Sequence, residues 1–480
     1  MKTIYKAVLM LLLLTGSIGC ESELSAPPKN AKVEGNTILD QATSQIALNG
    51  AYYNFANATA TRANWQQHQL LPATLAGYLG YGLGTGKLEE NRNETAASYY
   101  WDESYKAINA ANGVISGVEL LPDNKFTGSK KKEILAEAKF IRAYSHFKLL
   151  SFYGEWFNQN STKGVLLRDK LSTLENVQKK RSTVKESYDF ILSDLDEAIS
   201  NAPDINPNHY ATKWAAMALK MRVLINRGSA SDYETVIALA DQIIDSGKYQ
   251  LETNYQDIFR KNGLASKEVI LGIKPQASQA SDNYSKSRQY WPGASALYVA
   301  KKALKDLYFG DPRGSWIIGS PNPYSTYSPN TNYFTKYQQE GLSASVLSET
   351  DYAIRLSEVY LLKAEAIVRS GGSLTSARSL LHLVQSKSGI MATTNNIPYL
   401  AAEAADTADK LLMELYKETA KNLVAEDGSE WMALLRLPFN LLRQLRPTIT
   451  SQNQFILPVP VTEFINNPAF GEQNSGYSAN

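Results

Sequence analysis

Apolar residues return every three or four positions over several long stretches of the chain, the period of a helix that buries one face. Ala136, Phe140, Ala143, Phe147 and Leu150 share such a face, and the segment runs out at Tyr153-Gly154. Val184, Tyr188, Ile191, Leu195 and Ala198 form a second stripe, opened by Thr183 with Glu186 three residues on, the spacing of a capping box. Trp214, Ala218, Met221 and Ile225 predict a third helix stopped by Gly228. A fourth carries Tyr233, Val236, Ala240 and Ile243 after a box at Ser231 and Glu234, and stops at Gly247. Near the C-terminus Leu356, Val359, Leu362 and Ala366 define a helix ended by Gly371-Gly372, followed by a shorter one through Leu380 and Val384. Paired helices with short connections and no strict repeat predict tetratricopeptide-like stacking, in a mainly α fold.

Two stretches lack this period. Residues 59–98 hold five glycines, Gly77, Gly80, Gly82, Gly84 and Gly86, among Trp65, Tyr78 and Tyr81. Residues 274–350 interleave prolines with Tyr284, Tyr290, Trp291, Trp316, Tyr324, Tyr327 and Tyr333. Irregular segments of this length inside a folded chain are where binding residues concentrate. Both are rich in aromatics of the kind found at exposed positions. Trp101, Tyr105, Ile108 and Asn112 instead keep helical spacing and read as core, as do Trp214 and Trp431.

Composition narrows the function. The 480 residues carry 49 Lys and Arg against 47 Asp and Glu, with no basic stripe of the kind nucleic acid requires. The 28 Tyr outnumber 14 Phe twofold, which favours surfaces where a flat ring meets polar ligands. None of the four histidines, His68, His146, His209 and His382, has the spacing of a zinc hydrolase. Gly80 to Lys87 departs from a phosphate loop at Tyr81 and Leu88, and Gly293-Ala294-Ser295-Ala296-Leu297 lacks the last glycine of a nucleophile elbow. Acid pairs such as Glu89/Glu90 and Asp102/Glu103 leave a glycoside hydrolase as an alternative, because that chemistry needs two carboxylates across a bond. No cofactor is indicated.

The N-terminus reads as an address. Lys2 and Lys6 precede an apolar run from Ala7 to Leu14, too short to span a bilayer, and small residues lead to Cys20, the one cysteine of the chain. This resembles a bacterial lipobox, with Ser17 where Leu is more usual. The resemblance implies cleavage after residue 19 and acylation of Cys20. Glu21 and Glu23 are similar to the signal that sends lipoproteins to the cell surface. Residues 1–19 hold Lys2 and Lys6 and no acid, so the remainder carries 47 charges of each sign. Residues 20–38 then form a lipidated tether and 39–480 a single domain, with parts at about 39–250 and 251–480.

Four blocks together resemble the SusD/RagB family of outer-membrane lipoproteins. They are Ala136-Glu137-Ala138-Lys139-Phe140-Ile141-Arg142-Ala143 closed by Tyr153-Gly154; Arg355-Leu356-Ser357-Glu358-Val359-Tyr360-Leu361-Leu362-Lys363-Ala364-Glu365-Ala366; Glu418 through Glu426-Asp427-Gly428 to Arg436; and Leu457-Pro458-Val459-Pro460 with Asn467-Pro468 and Gln473 to Tyr477. Thr419, Glu430 and Gln385-Ser386-Lys387 depart from the family pattern, the first two at positions where Arg is usual. The resemblance implies a non-enzymatic SusD-like protein, lipid-anchored in the outer membrane and facing the cell exterior. It would hold an oligosaccharide against aromatic rings for a SusC-like TonB-dependent transporter. RagB-like capture of peptides is the alternative within the family, and a helical scaffold without a small ligand is a further one. Loop location nominates Trp65, Tyr78, Tyr81, Tyr290, Trp291 and Trp316 as stacking residues, with Asn64 and Arg92 as polar contacts.

Overall fold

A computed structural model of the chain describes residues 37–56, 65–82, 86–93, 98–275, 286–290, 296–321, 331–339, 345–394 and 396–478. Cys20, the tether before residue 37, Asn64 and Trp291 lie outside the described residues.

The first half is helical: α1 (Gln41–Ala56), α2 (Trp65–Leu75), α3 (Ser98–Glu119), α4 (Lys130–Tyr153), α5 (Val184–Asn201), α6 (Lys213–Arg227) and α7 (Ala230–Asp245). A short strand β1 (Leu79–Tyr81) follows α2. Helices α3 to α7 pack each on the next. Capping explains where they begin. At α5 the Thr183 hydroxyl accepts from Glu186 N (3.1 Å), and Thr183 N donates to the Glu186 carboxylate (2.8 Å), as the spacing predicts. At α7 the box sits two residues earlier than expected. Gly228 takes φ +70° and ends α6, so Ser229 becomes the cap and its N–H donates to Asp232 (2.9 Å), which also pairs with Arg227. The face from Ala136 to Leu150 is buried throughout.

The second half alternates short strands with helices: β2 (Val269–Ile273), α8 (Lys286–Tyr290), β3 (Tyr298–Ala300), α9 (Lys302–Leu307), α10 (Gly314–Ile317), β4 (Ile318–Pro321), β5 (Asn332–Phe334), α11 (Val346–Glu349) and β6 (Asp351–Arg355). Then come α12 (Leu356–Arg369), α13 (Leu374–Ser386), α14 (Ile397–Glu403), α15 (Ala408–Leu423), α16 (Ser429–Leu435), α17 (Phe439–Leu445) and α18 (Val461–Asn466). β2 pairs antiparallel with β6, and β1, β3, β5 and β4 form a four-stranded antiparallel sheet in that order. Helix α12 packs on α7, α13 and α15, so the two halves share one apolar core that runs from Leu48 to Phe470.

The turn before α16 is where the halves are tied together. Glu426 accepts from Lys336 Nζ (2.6 Å) and from Arg355 Nε and Nη2 (both 2.8 Å). Asp427 accepts from Lys148 Nζ and His68 Nδ1 (both 2.9 Å), from Arg222 Nη1 (2.5 Å) and from the Tyr144 hydroxyl. Burial opposes ionisation of Asp427, yet Lys148, His68 and Arg222 together hold its carboxyl well below the usual range. Arg222 also grips Glu358, and Arg355 grips Glu268. Every one of these side chains except His68 is buried. Such a cluster persists because each charge has a partner; losing one would strand the others.

Candidate ligand site

The sheet edge formed by β1 and β3 offers the exposed aromatic surface that the irregular segments suggest. Tyr81 and Tyr298 face each other in register, with ring centroids 6.1 Å apart and planes at 68°. Tyr81 is 40% exposed and Tyr298 half-buried. Cross-strand aromatic pairs of this kind fix each other's orientation. The turn after β1 is held by one carboxylate. Glu89 Oε1 accepts from Tyr81 N (2.7 Å) and Gly86 N (3.2 Å), while Oε2 lies 3.0 Å from Lys301 Nζ. A Cβ at Gly80 would sit 2.6 Å from both Glu89 Oε2 and Lys301 Cδ, so a side chain there displaces that pair. Asn91, in the left-handed region at φ +55°, donates to Leu75 O (2.9 Å) and accepts from Arg446 and Thr448 (both 2.7 Å). The surface is therefore preformed, and its charges are matched: Lys301 with Glu89, and Arg92 with Glu90 at 2.7 Å. Glu89 is a fixed structural carboxylate, so the pair Glu89/Glu90 does not furnish two free acids.

At the opposite edge, α10 delivers Trp316 just before β4. Its half-buried ring rests against Tyr255 and Phe259 at 5.6 and 6.1 Å, and the Arg260 guanidinium lies 5.7 Å from the ring centre. Three inter-strand steps of about 4.8 Å separate the sheet edges, roughly 14 Å.

Helix α8 occupies the centre of the 276–295 segment and is pinned at both ends. Lys286 Nζ pairs with Asp351 (2.6 Å), donates to Thr350 O (2.7 Å) and lies 3.9 Å from the centre of the Tyr337 ring, and its backbone N–H donates to Glu349 (3.1 Å). Burial pushes the Glu349 carboxyl up to about 7 against the pull of Lys286. At the other end the Tyr290 hydroxyl donates to Gln69 Oε1 (3.1 Å).

Three nominated stacking residues are corrected by burial. Trp65 begins α2, is 0% exposed, stacks on His68 at 4.1 Å and donates Nε1–H to Glu426 O (3.1 Å). Tyr78 is buried with its hydroxyl against that of Tyr416. Tyr290 is 0% exposed between Phe334 and Gln69. No ligand can stack on these rings in this fold. Tyr81 and Arg92 are exposed, and Trp316 is half-buried. Sequence reading missed Tyr298, Lys301 and Arg260; the alternation of a three-residue strand is too short to register, although the close glycines at 80 and 82 signalled near approach of backbone. Trp101, Trp214 and Trp431 are core residues as their spacing indicated. Among the described residues no helix is long and apolar enough to cross a membrane.

Residues 23–225 match a family model described as "Starch-binding associating with outer membrane", and residues 312–437 match the model of the SusD family. Among curated proteins, the chain is 24% identical over 532 aligned positions to SusD-like protein P2 of Formosa agariphila, covering 98% of this chain and 99% of that one. It is 22% identical to a SusD-like protein of Bacteroides ovatus over 58% of this chain, and spans 57% of that relative's length. Its fold is similar to the crystal structure of a SusD superfamily protein from Bacteroides thetaiotaomicron, with a TM-score of 0.73, 21% identity and coverage of 91% of this chain and 100% of that one. A SusD superfamily protein from Bacteroides fragilis gives 0.72 at 19% identity, covering 91% and 100%.

Proposed function

Because the chain belongs to the SusD/RagB family, we propose that it is a surface glycan-binding protein that captures oligosaccharides for nutrient uptake and performs no chemistry on them. The observation that carries this reading is the Tyr81–Tyr298 pair, two rings with hydroxyls held at a sheet edge beside fixed, charge-matched polar groups. Sugar C–H faces stack on such rings while their hydroxyls meet polar partners. Arg92 is exposed, and Arg92, Trp291 and Asn64 are proposed as further contacts. The family's description as starch-binding and associated with the outer membrane supports both ligand class and location.

In the finer reading, residues 1–19 are removed, Cys20 is acylated and anchors the protein in the outer membrane facing outward. The bound glycan then passes to a SusC-like TonB-dependent transporter. Several acyl chains anchor firmly where one holds only marginally.

The test is isothermal titration of the protein with a panel of plant, algal and host oligosaccharides and with mixed tripeptides. Binding of a glycan that weakens by about tenfold in Tyr81→Ala and in Tyr298→Ala is the expected result. Binding of peptides alone overturns the glycan reading.

A further inference from the structure

Among the described residues, four of the buried cations in the second half are paired with acids. Arg313 pairs with Asp311 and Glu418, Arg355 with Glu268 and Glu426, Lys336 with Glu426, and Lys286 with Asp351. Arg260 is different. It sits in the single π turn Ile258–Asn262, half-buried, and its guanidinium has one acceptor, Thr335 O at 2.6 Å. Among the described residues no hydrogen-bond partner faces Nε or Nη1, and neither is one of their fully buried, unpartnered side-chain atoms. The nearest acid in sequence, Asp257, is taken by Lys261 at 3.0 Å. The Trp316 ring supports the guanidinium at 5.7 Å, and Thr335 Oγ1 donates to Trp316 O (2.8 Å), so tryptophan, arginine and strand end form one fixed unit. Burial lowers the Arg260 pKa to about 10, which leaves the group charged at neutral pH.

A half-desolvated guanidinium fixed on an indole, with N–H groups and no acid beside it among the described residues, is built to receive a planar or tetrahedral anion. We infer that Arg260, positioned by Trp316, binds an acidic substituent of the captured glycan, a uronate carboxylate or a sulfate ester. This rests on the glycan reading and deepens it. The Tyr81–Tyr298 pair, on the strands at the other side of the sheet from β4, has its cations neutralised by Glu89 and Glu90 and takes uncharged sugar rings. The ligand is then a chain of mostly neutral units that bears an anion toward the Trp316 edge.

The experiment uses the mature protein and a glycan array of matched pairs: uronate oligosaccharides beside their methyl esters, and sulfated oligosaccharides beside their desulfated forms. The acidic member of at least one pair is expected to bind about tenfold more tightly at low salt, with the gap narrowing as NaCl rises. Which pair separates identifies carboxylate or sulfate. Arg260→Met, which keeps the stem on Trp316, is expected to abolish the preference, and Arg260→Lys, which keeps the charge without the planar fork, to retain part of it. Equal binding of both members by the native protein overturns the inference while leaving glycan capture standing, as does a preference that survives in Arg260→Met. If no glycan on the array binds, glycan capture itself fails and this inference with it.

Discussion

Glu430 stands where the SusD/RagB pattern resembled by this chain has an arginine, and its surroundings make it the sharpest probe of the core. The side chain is 0% exposed at the start of α16; Oε1 accepts from Ala425 N at 3.1 Å and Oε2 has no partner among the described residues. Burial pushes its carboxyl from 4.5 up to about 7. A carboxyl raised in the folded state contributes stability that is fully present below the unfolded value and is lost as pH climbs through the folded one. At roughly 1.4 kcal/mol per pH unit of displacement, the ionised form costs about 3 kcal/mol once pH exceeds about 8. Glu430→Gln keeps the acceptor for Ala425 and removes the charge. It places an amide N–H where no acceptor waits, at a cost of about 1 kcal/mol. The expected balance is a gain of about 2 kcal/mol near pH 8.5, roughly no difference near pH 5 and a loss of about 1 kcal/mol near pH 3.5. Urea unfolding followed by far-ultraviolet circular dichroism at these pH values reads the difference between variant and native protein, so the titration of Glu137 and Glu349 cancels. A difference that does not change sign or shrink with pH would refute the reasoning.

Lys286→Met strips the cation from Asp351 and Glu349 and is expected to cost about 3 kcal/mol near pH 8 and less near pH 5.5, where Glu349 takes a proton; an equal loss at both pH values in urea titrations contradicts this. Gly80→Ala pushes the Glu89–Lys301 pair off the turn that carries Tyr81. Because flexible side chains absorb the clash, the melting temperature should barely move while glycan affinity falls about tenfold by titration calorimetry; a large drop in melting temperature speaks against that division. Cys20→Ser is expected to move the protein from the outer-membrane fraction to the soluble one and to abolish labelling by radioactive palmitate, and a variant still bound and labelled removes the acyl anchor.

Local signals were read well where a helix is long. The stripe from Ala136 to Leu150, the Thr183 box and the stop at Gly228 depend on neighbours within a few residues. The box at α7 was placed late because both Ser229 and Ser231 have an acid three positions on, and only the left-handed turn at Gly228 chooses between them. No helical stripe claims Trp65, Tyr78 and Tyr290 in the sequence, so their setting there is that of loop aromatics. Their partners are Glu426, Tyr416 and Gln69, between 221 and 361 residues away, and no periodicity reports contacts of that range. The same limit hid the candidate site. Tyr81 was found from its setting among glycines, whereas Tyr298 and Arg260 acquire meaning only once β1 meets β3 and the π turn meets α10.

The acid turn at Glu426 and Asp427 also sets the order in which this molecule can mature. His68, Lys148 and Arg222 wait for a carboxylate 359, 279 and 205 residues further along. Closing loops of that size adds little to the equilibrium cost, which grows only with the logarithm of length, but it slows the search for the native arrangement. A chain emerging from its N-terminus therefore holds two cations, Lys148 and Arg222, and the His68 imidazole, whose shared carboxylate comes later. The buried tie between the halves can therefore close only after residue 427 has been made.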